Sequence, residues 1–261
     1  MRQFDVFVFE ENGPQFEQWN PPFEDPALGW FHDSDWNRPL QKIDAEWVVF
    51  AHPAVTIDRE FLNNLAQVIE GFPMVDAFAP RVRPSQQNDN AQNAVGKFFG
   101  GMLLNGSKGF ASISENEKMR FVAASNPLIG VYSSRIIQRT GLFDLELPPE
   151  FRLLDYTLRM AHAGGKMFNV PYLVTGIQNK NGIEQVCSGE FLKKNNAVKP
   201  LWEIYYKSLP AASLTGFTLR HPTMIPKFLG LDKRGKARDF KRDKATSLSK
   251  LSEQYLKEIS L

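Results

Sequence analysis

The order of segments predicts an α/β fold: a mixed, mainly parallel sheet flanked by helices. Three observations predict it. Trp47 to Ala51 is a continuous apolar run, as expected of a strand covered on both faces. Ile57, Phe61, Leu65, Val68 and Ile69 then recur at helical spacing. Strand-like and helix-like runs go on alternating as far as Val174, the pattern of crossover units.

The elements follow in order. FDVFVFEENG alternates apolar and polar residues and stops at Asn12-Gly13, which predicts a strand and a turn. Residues 14–30 hold four prolines and are expected to form an irregular loop. Thr56 is the expected N-cap of the helix that Gly71 ends. Met74 to Ala79 predicts a short strand closed by Pro80. Residues 84–120, rich in Asn, Gln, Gly and Ser, are a long excursion of the kind that carries function. Phe121 to Tyr132 is strand-like, with a break at Pro127. Ser133 to Thr140 predicts a short helix ended by Gly141, and Leu153 to Ala163 a second one stopped by Gly164-Gly165. Lys166 to Val174 predicts a strand.

The character changes after about residue 185. Residues 1–185 are assigned to the core and 186–261 to a basic helical extension. Residues 227–244 hold eight Lys or Arg against three Asp. Leu248, Leu251, Tyr255 and Ile259 share one helical face. Two readings stand for this tail. It rests on an anionic membrane surface, or it is a solvated linker and a helix packed on the core or a second subunit.

Composition excludes several classes. A single cysteine, Cys187, rules out an intrachain disulfide and a cysteine-built zinc site, which fits a reducing compartment. A net charge of +2 gives no global field for nucleic acid. The opening MRQFDVFVFEENG has acids inside its apolar run, so no secretory leader is expected. No window approaches a membrane span. The expected location is cytoplasmic, with the inner membrane face as a candidate site for the tail.

Three stretches carry a resemblance. They are AEWVVFAHPAV, TGLFDLE and LLDYTLRMAHAGGKMFNVP, in that order. Together they resemble the family-two nucleotide-sugar glycosyltransferases of the GT-A fold, over residues 37–175. The resemblance implies inverting transfer of a sugar from a nucleoside-diphosphate sugar to a glycan or a lipid-linked acceptor, as in polysaccharide biosynthesis. Gly141, Leu142, Phe143, Asp144 and Glu146 cover the family's Gly-Gly-Phe-Asp-Glu corner. Asp155, Arg159, Gly164 and Pro171 carry its helix-and-strand pattern.

The departures are chemical. The family's Asp-x-Asp positions fall on His52, Pro53 and Ala54. Relatives hold a divalent cation there against the leaving diphosphate, because hard cations prefer oxygen. Ala54 offers no ligand, and His52 one nitrogen at most. No metal cofactor is therefore expected. Arg81, Arg83, Arg152, Lys180, Lys193 and Lys194 are the candidate basic groups for the diphosphate. His52 is a donor-site candidate, with a structural strand-end histidine as the alternative.

The family's Glu-Asp base falls on Arg152 and Leu153. A one-turn slip would bring Asp155 or Glu150 to the acceptor, and these are the candidate catalytic carboxylates. For Asp155 a structural ion pair or cap is the alternative. Only 36 residues precede Asn37, so one strand–helix unit of the nucleotide half is expected to be missing. Glu10, Glu11 and Asn12 end the first strand, where base or ribose contacts belong in an open α/β sheet. Their alternative is a polar strand exit. The function read from all this is metal-independent sugar transfer. A non-catalytic glycosyltransferase-like module and an unrelated α/β protein remain the competing readings.

Overall fold

Alternation in β1 (Arg2–Phe9) decides how the sheet is covered. Phe4, Val6 and Val8 point to one apolar layer, Phe7 and Phe9 to the other. β3 (Ala45–Ala51) behaves alike, with Trp47, Val49 and Ala51 on the first face and Val48 and Phe50 on the second. A strand apolar on both faces needs helices on both, and it has them. α1 (Arg59–Gly71) covers the first face through Phe61, Leu62, Leu65 and Val68. α2 (Ser134–Thr140) and α3 (Pro149–His162) cover the second through Ile136, Ile137, Leu153, Tyr156 and Met160.

The computed structural model describes residues 2–9, 21–33, 35–83, 102–105, 109–112, 119–122, 124–126, 128–145 and 149–177. The basic extension 186–261, with Cys187, Lys193 and Lys194, lies outside them. So do Glu10, Glu11, Asn12, Glu146 and Lys180.

Among the described residues, eight strands form one sheet in the order β2-β1-β3-β9-β5-β10-β4, with β8 beside β10. β2 is Leu28–Asp33, β4 Val55–Thr56, β5 Ala77–Arg83, β8 Arg120–Val122, β9 Ile129–Ser133 and β10 Met167–Ile177. β1, β2, β3, β5 and β10 run one way, and β4, β8 and β9 run against them. The expected mixed, mainly parallel sheet flanked by helices is what the chain forms. Among the described residues no helix is long and apolar enough to cross a membrane.

Several boundaries differ from expectation. β2 emerges from the segment expected to be irregular up to residue 30. The excursion 84–120 contains an antiparallel pair, β6 (Met102–Asn105) with β7 (Gly109–Ser112). The N-cap of α1 is Asp58, not Thr56. The Asp58 carboxylate accepts the Phe61 amide at 2.7 Å, while Thr56 is taken by β4. α3 starts at Pro149, a turn before Leu153, since proline suits the first helical position. β5 runs through Pro80, which was expected to close its strand, and β10 runs through Pro171, inside the strand expected over Lys166 to Val174, and on to Ile177. Neither proline can donate to a ladder, and the β5–β10 register shifts between Asn169 and Val174. The chain stays extended while the pairing is lost.

Candidate functional site

Strand order points to the position of a candidate site. The chain leaves β1 for β2 on one side and returns to β3 on the other. Order therefore reverses at β1, and open α/β sheets bind ligands outside the carboxyl ends at such a reversal. Those ends are Phe9 and Ala51. Glu10 and Asn12 follow the first. His52, Pro53 and Ala54 follow the second.

The exit from β3 is a tight turn. The Val55 amide donates to the His52 carbonyl at 2.9 Å, and Pro53 supplies the fixed φ that such turns favour. The His52 amide donates to the Leu128 carbonyl at 2.8 Å. The Ala54 amide donates to His52 Nδ1 at 3.1 Å, so the imidazole caps its own turn as an Asp side chain would. Val55 and Thr56 then pair with Ile177 and Gly176, and the Thr175 hydroxyl donates to the Thr56 carbonyl. Asn126 stiffens the receiving loop. Its Oδ1 accepts Leu128 at 2.8 Å and Ile129 at 3.0 Å, and its Nδ2 donates to the Pro80 carbonyl at 3.0 Å. His52 is exposed, and Ala54 packs partly against the apolar layer under α1.

A second structure stands beside the end of β1. Gly141, at φ +80°, turns the chain out of α2 into Leu142, Phe143 and Asp144. Phe143 is buried against Phe9, Trp36, Phe50 and Tyr156, with ring centres 6.0, 5.2, 5.1 and 4.3 Å away. Asn37 fixes its backbone from both sides. Asn37 Oδ1 accepts the Phe143 amide at 2.7 Å, and Nδ2 donates to the Phe143 carbonyl at 3.1 Å. Asn37 is itself placed by consecutive side-chain caps. Asp33 accepts the Asp35 amide and Asp35 the Asn37 amide, both at 2.9 Å. The signal for this was in the sequence as Asp33-x-Asp35-x-Asn37, with each side chain able to cap two residues on.

The remaining candidates sit as follows. Arg152 is buried under the corner. Its guanidinium lies 5.3 Å from the centre of the Trp36 ring and donates to the Leu145 carbonyl at 3.2 Å. Arg81 is also buried, at the carboxyl end of β5, and donates to the Pro171 carbonyl at 3.2 Å across the shifted register. Glu150 lies in the first turn of α3. Asp155 is fully buried, 0% exposed, and accepts Arg159 Nε at 2.8 Å. Arg159 reaches on to the Thr140 carbonyl at 3.2 Å, tying α3 to the end of α2. This geometry matches the ion-pair alternative for Asp155.

Beneath α3 lies a hydroxyl cluster that the sequence did not announce. The Tyr132 hydroxyl is 2.7 Å from Thr157 Oγ1 and 3.3 Å from Ser125 Oγ. Thr157 donates to the Leu153 carbonyl at 2.8 Å. Burial pushes the Tyr132 phenol up to about 12, against those two hydrogen bonds. Burial also raises Tyr156, with Tyr132 adding to the shift and Arg159 opposing it.

No protein-family model matches the chain, and no curated protein matches its sequence. Solved structures with a similar course of chain exist. One is TarS 1-349 of S. aureus in complex with UDP-GlcNAc. It is 13% identical, with a TM-score of 0.43, over 69% of this chain and 59% of that one. The chain thus spans less than two thirds of that structure. Another is the mannosyltransferase PcManGT from Pyrobaculum calidifontis in complex with GDP-Man and Mn2+. It is 14% identical, with a TM-score of 0.42, over 100% of this chain and 84% of that one. A third is GalNAc-T7 with UDP, GalNAc and Mn2+. It is 10% identical, with a TM-score of 0.45, over 78% of this chain and 48% of that one.

Proposed function

We propose that the chain is a glycosyltransferase-type protein that takes a nucleoside-diphosphate sugar at the crevice between β1 and β3. One observation carries this reading. The strand order reverses at β1, residues 52–54 leave the sheet from its neighbour β3, and the Phe143 corner stands beside the end of β1. The acceptor is a glycan or a lipid-linked glycan. Its hydroxyl oxygen bonds to the anomeric carbon, the bond from that carbon to the phosphate oxygen breaks, and the diphosphate leaves with the electron pair. A carboxylate takes the hydroxyl proton.

Glu150 is the proposed base. It lies in the first turn of α3, whereas the Asp155 carboxylate is spent on Arg159. Glu10 and Asn12 are proposed for the base and ribose. Lys180 is proposed for the diphosphate, because it follows by three residues Ile177, which pairs with Val55 of the turn. Incubation with a panel of nucleotide sugars and glycan acceptors in EDTA tests the reading. Release of nucleoside diphosphate from one donor, lost in Glu150→Gln, is the expected result. Failure to bind or cleave any donor overturns it.

A second reading has its own support. Arg152 stands at the family's acidic position and is spent on Trp36 and Leu145, which suits a module that binds without catalysis. It predicts thermal stabilisation by a nucleoside diphosphate without turnover.

A further inference from the structure

We propose that the indole N–H of Trp36 is a hydrogen-bond donor held for an oxygen of the nucleoside. That oxygen is the ribose 2′-hydroxyl or the carbonyl that uracil and guanine carry where cytosine and adenine carry an amino group. This rests on the reading that the crevice takes a nucleoside-diphosphate sugar, and it names what meets the nucleoside.

Burial carries the first step. Trp36 is 6% exposed, and its Nε1 meets no acceptor among the described residues. A buried donor without an acceptor is costly, and native chains leave few of them. The ring is packed too closely to swing towards one. It lies flat on Phe9, with ring centres 4.3 Å apart and planes 7° apart. Phe143 stands edge-on at 5.2 Å, and the Arg152 guanidinium lies 5.3 Å from the ring centre. Packing thus fixes the plane of the N–H and supplies no acceptor for it. An incoming oxygen reaches Nε1 by displacing what lies against that edge.

Place carries the second step. Phe9 ends β1, and Trp36 follows Asp33, the end of β2, by three residues. The two strands are parallel neighbours, so the indole stands at their carboxyl ends. Residues 52–54 leave β3, on the other side of β1. In nucleotide-binding α/β sheets the ribose is met at the end of the second strand, commonly by an acid. Asp33 is committed within its own loop. One oxygen accepts the Asp35 amide at 2.9 Å, and the other pairs with Arg38 at 3.2 Å. Trp36 offers the next polar atom along the chain. An indole only donates, so its partner is an oxygen lone pair and not an amino group.

Calorimetry on the full chain with UDP, CDP, GDP, ADP and 2′-deoxyuridine diphosphate tests this, with Trp36→Phe alongside. A base carbonyl as partner predicts that UDP and GDP bind about tenfold more tightly than CDP and ADP. The 2′-hydroxyl as partner predicts that UDP binds about tenfold more tightly than its deoxy form. In either case Trp36→Phe erases the preference. An indole that merely packs gives a uniform loss or no loss, and either result overturns the inference. So does a preference that survives the substitution, or a wild-type chain with neither preference. Proton–nitrogen spectra add a readout on the unmodified chain. It has five tryptophans, and the Trp36 indole is the cross-peak missing from Trp36→Phe, or from Trp36→Tyr should the first variant not fold. Saturating nucleotide should move that peak downfield. An unmoved peak in a saturated chain overturns the inference and leaves the donor-site reading intact. If none of the nucleotides binds, that reading falls and takes the inference with it.

Discussion

Phe143 sits among four aromatic rings with its backbone clamped by Asn37, whereas His52 stands exposed on a turn held mainly by backbone bonds. The two regions lie at the carboxyl ends of neighbouring strands. One is specified by side-chain shape, the other by backbone hydrogen bonds. Close packing leaves little room for exchange at the first. The second keeps its form as long as something caps the Ala54 amide, and an imidazole does so. Residues 52–54, the positions that the resemblance gives to Asp-x-Asp, therefore lie where the fold tolerates exchange. The corner holds Gly141, Phe143 and Asp144.

The largest effect that tests this contrast is Phe143→Ala. Removing a buried ring from among Phe9, Trp36, Phe50 and Tyr156 should cost about 3–5 kcal/mol in denaturant unfolding. A loss below about 1 kcal/mol would mean that the corner is not the packed half of the comparison. Asp155→Ala comes next. It strands a half-buried Arg159 and loosens α3 from Thr140, which should cost about 3 kcal/mol. Destabilisation with donor binding retained is expected of the ion-pair role. Lost turnover at full stability would restore Asp155 as the base.

How far the sequence already disclosed these regions follows from the range of the forces involved. β3 was legible because five apolar residues in a row suit only a doubly covered strand. α2 was legible because Ser133 and Gly141 cap it locally, with the Ser133 hydroxyl accepting the Ile136 amide. β2 was not legible. Gly29, His32 and Asp33 break its alternation, and it is an edge strand that pairs only with β1 among the described residues. The strand course through Pro80 was hidden too, since it depends on β10 giving up its register ninety residues away in sequence. At the site, His52 and the corner were visible as motif positions. The burial of Arg152 under Trp36 was not, because the partner lies on a different element. The spacing of Asp155 and Arg159 was visible, but only packing decides that the pair faces inward.

A smaller effect probes the layer between the regions. The Tyr132 phenol ordinarily titrates near about 10 in an unfolded chain, whereas burial holds its proton up to about 12 here. The native state binds more protons across that window, so stability should fall as pH rises from 10 towards 12. Below that window this contribution is fully present. Tyr132→Phe removes the hydroxyl bonded to Thr157 and Ser125, which should cost about 1 kcal/mol at neutral pH. It should also make the alkaline decline shallower, leaving the share due to Tyr156. An unchanged slope would show that Tyr132 ionises without unfolding.

The smallest effect belongs to the turn. His52→Ala deletes the cap on the Ala54 amide, but that amide is near solvent and water can replace the imidazole. The bonds from His52 to Leu128 and from Val55 to His52 are backbone bonds and survive the change. The expected loss is within about 0.5 kcal/mol, set against the several expected for Phe143→Ala. Equal losses at the two positions would erase the contrast and make His52 a structural residue. A negligible loss of stability beside a clear loss of nucleotide affinity would set the two ends of the crevice apart, one as frame and the other as the chemically adjustable surface.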